Sequence, residues 1–540
     1  MIMRSKARKR VERLVAVSDH LSLINFRRIA MAVKTYEEYF DRIKKLKRNV
    51  YVKGERVDRT EYDGLRGAFR TIRETYDCSN DPRYMDLCRT KSHLNGDEIS
   101  RFTHIHQSVE DLLNKQRMTR VLCHRTGGCI QRCMGIDAMN ALSVVTHEMD
   151  QILKTDCNSN FLKYLAYWQK EDITANCAQT DTKGHRLKRP HEQDDPDLYV
   201  RIVESRPDGI VVRGAKVDNT AAPVSDEIIV IPTRFMTDKD NEYAVAFSVP
   251  ADFDGVKMLV RPANHHKRTH LPAPIAEIGD GESFTIFDDV FVPRDRVFMD
   301  GKGDPRQTPF AGFLALLFAH YHRHSYTGCK PAVSEILASA AALVSEYNGI
   351  EGVDHVKDKI SHLIGTAELV FAAGQVSAYR AERSSSGTFI PDEILTNAGR
   401  RLAGEEIYNE FKIVADLAGG LCATMPFEEE FFSKETGPLA NKYMMRNPKI
   451  SAEDQHRCFR GIENLVVSEL ATVNQVAGLH GGGSPQMETI AMMSRYDLGA
   501  LKNIARYLFG IDKDMPVYER PTVTPRKQLE RFKKIFGSKA

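Results

Sequence analysis

At 540 residues the chain is too long for one small core, and roughly two or three packed layers or subdomains are expected. Its composition, 42% hydrophobic and 28% charged, is that of an ordinary globular protein, and a net charge of +3 lacks the basic excess of a dedicated nucleic-acid binder. Ten scattered cysteines make no disulfide framework and fit reduced thiols in the cytoplasm, while no apolar run of about eighteen residues is present to span a membrane.

Residues 1–30 are basic and faintly amphipathic, with Arg4, Lys6, Arg8, Lys9, Arg10 and Arg13. A transit peptide or a membrane-surface helix is basic in this way, but Glu12 and Asp19 are foreign to the former; a disordered extension or an upstream start codon is expected instead. Residues 31–172 form a first helical domain, with apolar spacings of three and four clearest in Tyr36–Leu46 and Met134–Leu153. Gly127-Gly128 breaks the chain just before a predicted helix that carries Cys129 and Cys133 on one face. Cys123, upstream of this break, is read as structural.

The texture changes near Ile173. Short β-rich runs at Leu198–Val203, Ile210–Lys216, Glu227–Ile231, Tyr243–Val249 and Phe284–Val292, separated by Pro, Gly and Asn turns, predict a β domain over residues 173–306. Its turn Thr180-Asp181-Thr-Lys183-Gly184-His-Arg186 could cradle a phosphate or be an ordinary solvated turn. Residues 307–512 read as helical again. Ala311–Lys330 brings His322, Tyr326 and Cys329 to one helical face, although a core histidine and a packed tyrosine give the same pattern. Pro331 is expected to start a separate helix running to Tyr347. Gly419-Gly420 and the turn Gly481–Pro485 after His480 allow close backbone approach. Residues 513–540, with Pro516, Pro521 and Pro525, read as a surface tail.

Two helices would thus each offer two soft ligands: Cys129 with Cys133, and His322 with Cys329. Three thiolates and an imidazole suit a zinc staple or an iron–sulfur cluster with one histidine ligand; four residues facing an apolar core is the plainer alternative.

Four segments narrow the choice. Gly127-Gly-Cys129-Ile-Gln131-Arg-Cys133-Met-Gly-Ile-Asp-Ala-Met-Asn-Ala, Phe287-Asp-Asp-Val-Phe291-Val-Pro293, His320-Tyr-His322-Arg-His-Ser-Tyr326-Thr-Gly-Cys329-Lys330 and Leu479-His480-Gly-Gly-Gly-Ser-Pro485 resemble those of the 4-hydroxybutyryl-CoA dehydratases, a branch of the wider 4-hydroxyphenylacetate 3-hydroxylase family. The likeness runs from about Met31 to about Gly510. It implies an α+β, acyl-CoA dehydrogenase-like fold with an N-terminal helical domain, a middle β-barrel or sandwich, and a C-terminal helical bundle, assembled as a homotetramer. It further implies a 4Fe-4S cluster on Cys129, Cys133, His322 and Cys329, and FAD held without a Rossmann crossover. The expected flavin contacts are Gln131, Thr180, Asp181, Lys183, Gly184, Arg186, Thr220, Gly419 and Gly420. The reaction implied is radical dehydration of a 4-hydroxyacyl-CoA thioester to crotonyl-CoA with associated vinylacetyl-CoA isomerisation. His322 would double as a base, Tyr326 would assist proton transfer, Lys330 would arrange flavin and substrate, and Glu282 would be catalytic or position the substrate. Without the resemblance, Glu282 reads as a surface carboxylate beside Asp280.

One position departs from the branch: Ala477 stands where a second active-site glutamate is expected, so Glu282, Glu469 or water must substitute, or the acyl chain differs. Two other readings stay open: an oxygen-dependent flavin hydroxylase of phenols with incidental cysteines, and a non-catalytic scaffold joined by zinc.

Overall fold

Helices flank a β domain on both sides in the computed structural model, which describes residues 33–517. The basic opening segment, Pro521 and Pro525 lie outside the described residues. The first helix among the described residues, α1 (Tyr36–Ile43), starts on a capping box in which Thr35 accepts from the Glu38 N–H and Glu38 accepts from the Thr35 N–H. Next comes an unpredicted hairpin, β1 (Val50–Val52) and β2 (Glu55–Val57), turned by Lys53 and Gly54, both at positive φ as a two-residue hairpin loop requires. Three helices follow: α2 (Arg66–Asn80), α3 (Val109–Thr126) and α4 (Cys133–Leu153); then comes α5 (Cys157–Glu171).

The β domain contains β3 (Ala175–Ala178), β4 (Arg201–Arg206), β5 (Gly209–Thr220), β6 (Glu227–Val230), β7 (Val245–Pro250), β8 (Val256–Asn264), β9 (Gly279–Pro293) and β10 (Val297–Asp300). They form a six-stranded sheet in the order β2-β1-β8-β9-β5-β4 and a four-stranded one in the order β10-β7-β6-β3. Neither closes into a barrel. Ile202, Ile210, Val212 and Phe287 of the larger sheet pack on Ile228, Val230, Phe247 and Val249 of the smaller, so the domain is a sandwich. Val50 pairs with Met258, so the N-terminal region, expected to be helical throughout, supplies two strands of the larger sheet. Along β9, Ser283, Thr285 and Phe287 are buried while Glu282, Phe284 and Ile286 face the other way.

Beyond the sheets lie α6 (Thr308–Tyr347), α7 (Asp354–Tyr379), α8 (Glu393–Ala418), α9 (Ala452–Val466), α10 (Glu469–His480), α11 (Pro485–Arg495) and α12 (Leu498–Leu508). No helix among the described residues is long and apolar enough to cross a membrane. Pro331 does not begin a new helix, as expected, but sits inside the 40-residue α6. Proline lacks the N–H that the carbonyl four residues earlier, that of Thr327, would accept. Here the Gln116 side chain of α3 donates to the Thr327 carbonyl at 2.9 Å and to the Phe371 carbonyl of α7 at 2.9 Å, replacing the lost bond and stapling three helices. A Cβ at Gly328 would overlap Thr119, and one at Gly374 would overlap Thr327, which is how the helices come this close.

Gln116→Leu leaves the Thr327 and Phe371 carbonyls without this donor, and about 2 kcal/mol of stability should be lost. A fall in the thermal midpoint with secondary structure intact is the expected result; an unchanged midpoint contradicts the staple.

Candidate active site

The first correction concerns Cys129. It does not share a helical face with Cys133: α3 stops at Thr126, Gly127 adopts φ +67°, and Cys129 lies in an open turn that ends where Cys133 begins α4. Gln131 between them is left-handed at φ +62°, which aims its N–H back at the Cys129 sulfur, 3.3 Å away. The turn is anchored on both sides. Gln131 Nε2 donates to the Gly279 carbonyl at 2.8 Å, and buried Arg132 pairs with Asp172 at 2.6 Å while stacking over Tyr76. A helical spacing of four thus brings the thiols together through a turn.

His322 reaches the same place from α6. Its Nδ1–H donates to Asp137 at 2.9 Å, which leaves Nε2 as the ring's free lone pair. Asp137 is fully buried and also accepts from Ser325 Oγ, at 3.0 and 2.9 Å, and from Lys115. Burial alone would raise its carboxyl, but Lys115 and His322 outweigh this and hold it below the usual range. One ligand atom each of Cys133, Asp137 and His322 lies within 4.8 Å of the others. Sequence reasoning missed Asp137, although its place one helical turn after Cys133 was a usable signal.

Cys329 completes the set. It packs with Cys133 and Cys123 in one buried cluster. A hydrogen bond from Cys123 lowers the Cys329 thiol below its ordinary value, whereas burial drives Cys123 and Cys133 well above theirs. Part of Cys129 reaches solvent, but desolvation of its sulfur, then the charges of Asp280 and Cys329, raise it too. Cys123 is therefore a neighbour of Cys329 and Cys133. Tyr326 stands edge-on to His322, with ring centroids 5.1 Å apart, and its hydroxyl donates to the Ala477 carbonyl at 3.1 Å. Lys330 is buried, its Nζ 3.7 Å from Glu410, and desolvation lowers its pKa.

The start of β9 supplies carboxyls. Burial, then the charge of Asp280, pushes Glu282 up to about 8, and burial pushes Asp280 up to about 6. Thr220 Oγ1 donates to Glu282 at 2.7 Å, across the β5–β9 pairing. In the loop before β4, Asp181 is buried, pairs with Lys216 at 2.8 Å and accepts the Val200 N–H, so it anchors the loop. Thr180 gives its carbonyl to the Val217 N–H, and Lys183 and Gly184 turn the chain at positive φ next to Arg186. Gly419 caps α8 beside Asn348 and Arg446 and accepts a hydrogen bond from the Cys422 thiol, and Gly420 follows it.

The two halves of one family match this chain: 4-hydroxyphenylacetate 3-hydroxylase N terminal over residues 35–299 and C terminal over residues 311–510. The chain belongs to the 4-hydroxyphenylacetate 3-hydroxylase family. Within that family it is 37% identical over 491 residues to the 4-hydroxybutyryl-CoA dehydratase/vinylacetyl-CoA-Δ-isomerase of Clostridium aminobutyricum, a match that covers 88% of this chain and 99% of the relative. A solved 4-hydroxybutyryl-CoA dehydratase of the archaeon N. maritimus, described as oxygen tolerant, superposes with a TM-score of 0.84 at 34% identity, over 93% of this chain and 99% of that one. The oxygenase component of 4-hydroxyphenylacetate 3-monooxygenase, solved with FAD and 4-hydroxyphenylacetate, shares the fold with a TM-score of 0.78 at 24% identity, over 88% and 98% of the two chains. This member of the family is an enzyme of the dehydratase and isomerase type, with the expected α+β, acyl-CoA dehydrogenase-like fold.

A raised carboxyl pKa has a stability signature. Between about 4.5 and about 8 the unfolded chain releases the Glu282 proton that the folded chain retains, so stability falls as pH rises through that window. Calorimetry at stepped pH should show the midpoint declining from about pH 5 to about pH 8, and Glu282→Gln should flatten the slope; an unchanged slope removes the inference.

Proposed function

We propose that the enzyme dehydrates 4-hydroxybutyryl-CoA, or a closely related 4-hydroxyacyl-CoA, to crotonyl-CoA and isomerises vinylacetyl-CoA, using FAD and a 4Fe-4S cluster. The observation that carries this is a cluster in which ligand atoms of Cys133, Asp137 and His322 lie within 4.8 Å of one another, Cys329 packs beside Cys133 and its charge is felt at the Cys129 sulfur, in a chain 37% identical to such a dehydratase. The donor chemistry fits the cluster, since three sulfurs and one imidazole nitrogen suit iron and the Asp137 carboxylate fixes the imidazole tautomer. Flavin suits the outer face of the six-stranded sheet, where Thr220 bonds to Glu282 and Phe284 is half-exposed, with the Lys183–Arg186 turn as a source of positive charge. Asp181 supports that turn from beneath. Gln131 would act mainly by shaping the Cys129 turn. Gly419 and Gly420 would meet the flavin's nucleotide part only across an assembly of several chains.

The substrate explains why such cofactors are needed. The proton at C2 is acidified by the thioester, but the one at C3 is not, and acid–base catalysis of about 10²–10⁴-fold cannot remove it. When bound, flavin and cluster would supply reversible one-electron chemistry and Lewis-acid polarisation of a substrate oxygen. The chain's own groups move protons. Protons leave C2 and C3, hydroxide leaves C4, one proton returns to C4, and the balance is water plus crotonyl-CoA. His322 Nε2, without a partner among the described residues, would be a weakly held ligand that doubles as a base when released. The Tyr326 hydroxyl moves a proton beside it, and Lys330 is held neutralised by Glu410. Glu282, still protonated near neutral pH, donates a hydrogen bond to a substrate oxygen and takes over part of the work of the glutamate replaced by Ala477.

The large exposed apolar side chains of α7, among them Ile364, Leu369, Val376 and Tyr379, support assembly into a homotetramer, and the many free thiols suit the cytoplasm. Sedimentation should give four copies of the 61.0 kDa chain; a monomer contradicts this assembly.

Protein purified without air should be brown, hold about four irons per chain and form crotonyl-CoA from 4-hydroxybutyryl-CoA. Cys329→Ser should lose iron, and Asp137→Asn should weaken iron retention against a chelator about 10- to 100-fold. Colourless, iron-free protein defeats the proposal, and reductase-driven oxygen uptake with a phenol would favour the hydroxylase reading.

A further inference from the structure

Three charged side chains with no role in the scheme above surround the Gly481–Gly483 turn. Arg400 of α8, fully buried, donates from Nε and Nη2 to the Gly481 carbonyl at 3.0 and 2.8 Å. Arg323 of α6 donates from Nε to the Gly482 carbonyl at 2.8 Å and from Nη1 to Asn397 at 2.6 Å. Between them lies Glu488, in the first turn of α11. It is 0% exposed, and its Oε1 is 3.8 Å from Nε of each arginine. Neither Glu488 oxygen accepts a hydrogen bond from the described residues.

Burial pushes the Glu488 carboxyl up to about 7 against the pull of Arg400 and Arg323, and its buried charge is costly unless it is used. Its use is legible in the geometry. Two guanidinium groups converge on neighbouring carbonyls of one turn, where they repel each other; Glu393 also attracts Arg323, and Glu488 is the anion that faces both. The turn they hold lies directly on the reactive side chains. A Cβ at Gly481 would overlap the Tyr326 hydroxyl, one at Gly482 would come within 3.3 Å of His322 Cδ2, and one at Gly483 within 2.6 Å of Arg323 Nη2. Arg400 also covers the Tyr326 ring, 4.4 Å from its centroid, and the chain just before the turn provides the carbonyl that receives the Tyr326 proton.

We propose that Glu488 is a positioning residue: its buried charge holds Arg323 and Arg400 on the glycine turn, and the turn confines His322 and Tyr326. The proposal rests on the roles given to those two residues above, and its test separates the two ideas. Hydrogen exchange reads the clamp without reference to activity, because the Gly481 and Gly483 amides bond to the carbonyls of Ala477 and His480. In the full-length enzyme loaded with iron and flavin, Glu488→Gln should speed exchange of these amides about ten-fold or more. It should also lower kcat about 100-fold, with KM for 4-hydroxybutyryl-CoA within about two-fold and iron and flavin content unchanged. Glu488→Asp, which keeps the charge, should recover most of both. Arg400→Lys, which keeps its charge but loses the two-donor grip, should reproduce the faster exchange even where Glu488→Gln fails to fold. Unchanged exchange overturns the clamp. Faster exchange with unchanged kcat overturns the positioning role, and Glu488→Asp behaving like Glu488→Gln overturns the role of charge. Faster exchange in a protein whose parent forms no crotonyl-CoA leaves the clamp standing and removes the dehydratase reading instead.

Discussion

The site depends on one buried carboxylate. Asp137 of α4 receives hydrogen bonds from Lys115 of α3 and from Ser325 and His322 of α6, so two successive helices and a third far along the chain meet on two oxygens. Withdrawing one member of such a buried charged set leaves the others uncompensated, typically at a cost of about 3–5 kcal/mol. The same contact that fixes the helices also decides which nitrogen of His322 is free, and so couples fold to chemistry in a single group.

Around this centre the protein places charge where water cannot relax it. Glu282 is kept protonated near neutrality by burial and then by the charge of Asp280, whose own carboxyl burial raises only to about 6, whereas Asp137 is kept ionised by a lysine. Carboxyls of opposite protonation state on two sides of a thiol group give a site able both to give and to hold protons near neutrality. The β sandwich contributes Glu282 and Thr220, α4 and α6 contribute Cys133, Cys329 and the imidazole, and the turn between α3 and α4 contributes Cys129. Neither layer is sufficient alone, and the turn bearing Cys129 is tied to β9 through Gln131.

Much of this was legible in the sequence. The strands from Ile210 and Glu227 show as short β-rich runs between turn residues, and the thiols and His322 stand out by their spacing and by the motifs around them. What was not legible was long-range. The hairpin at Val50 is short and joins a sheet formed 200 residues later, so nothing local marks it. Cys129 was assigned to a helix because a spacing of four fits one, yet a left-handed residue at Gln131 delivers the same meeting through a turn. Pro331 stops helices in isolation, and only a side chain from α3 reverses that rule here. Asp137 and Glu488 were overlooked because a buried carboxylate looks like a surface one until its partners are known.

The uninterrupted α6 has a mechanical consequence. Its first half, through Phe310, Leu314 and Tyr321, belongs to the core shared with the sandwich, and its second half, through Leu337, Ala341 and Val344, to the core of the C-terminal helices. A rod built into two cores cannot let them swing independently, and its weakest joint, at Thr327, falls between the imidazole and the lysine of the site. One amide from a neighbouring helix thereby determines whether His322 and Lys330 travel as one rigid body or as two.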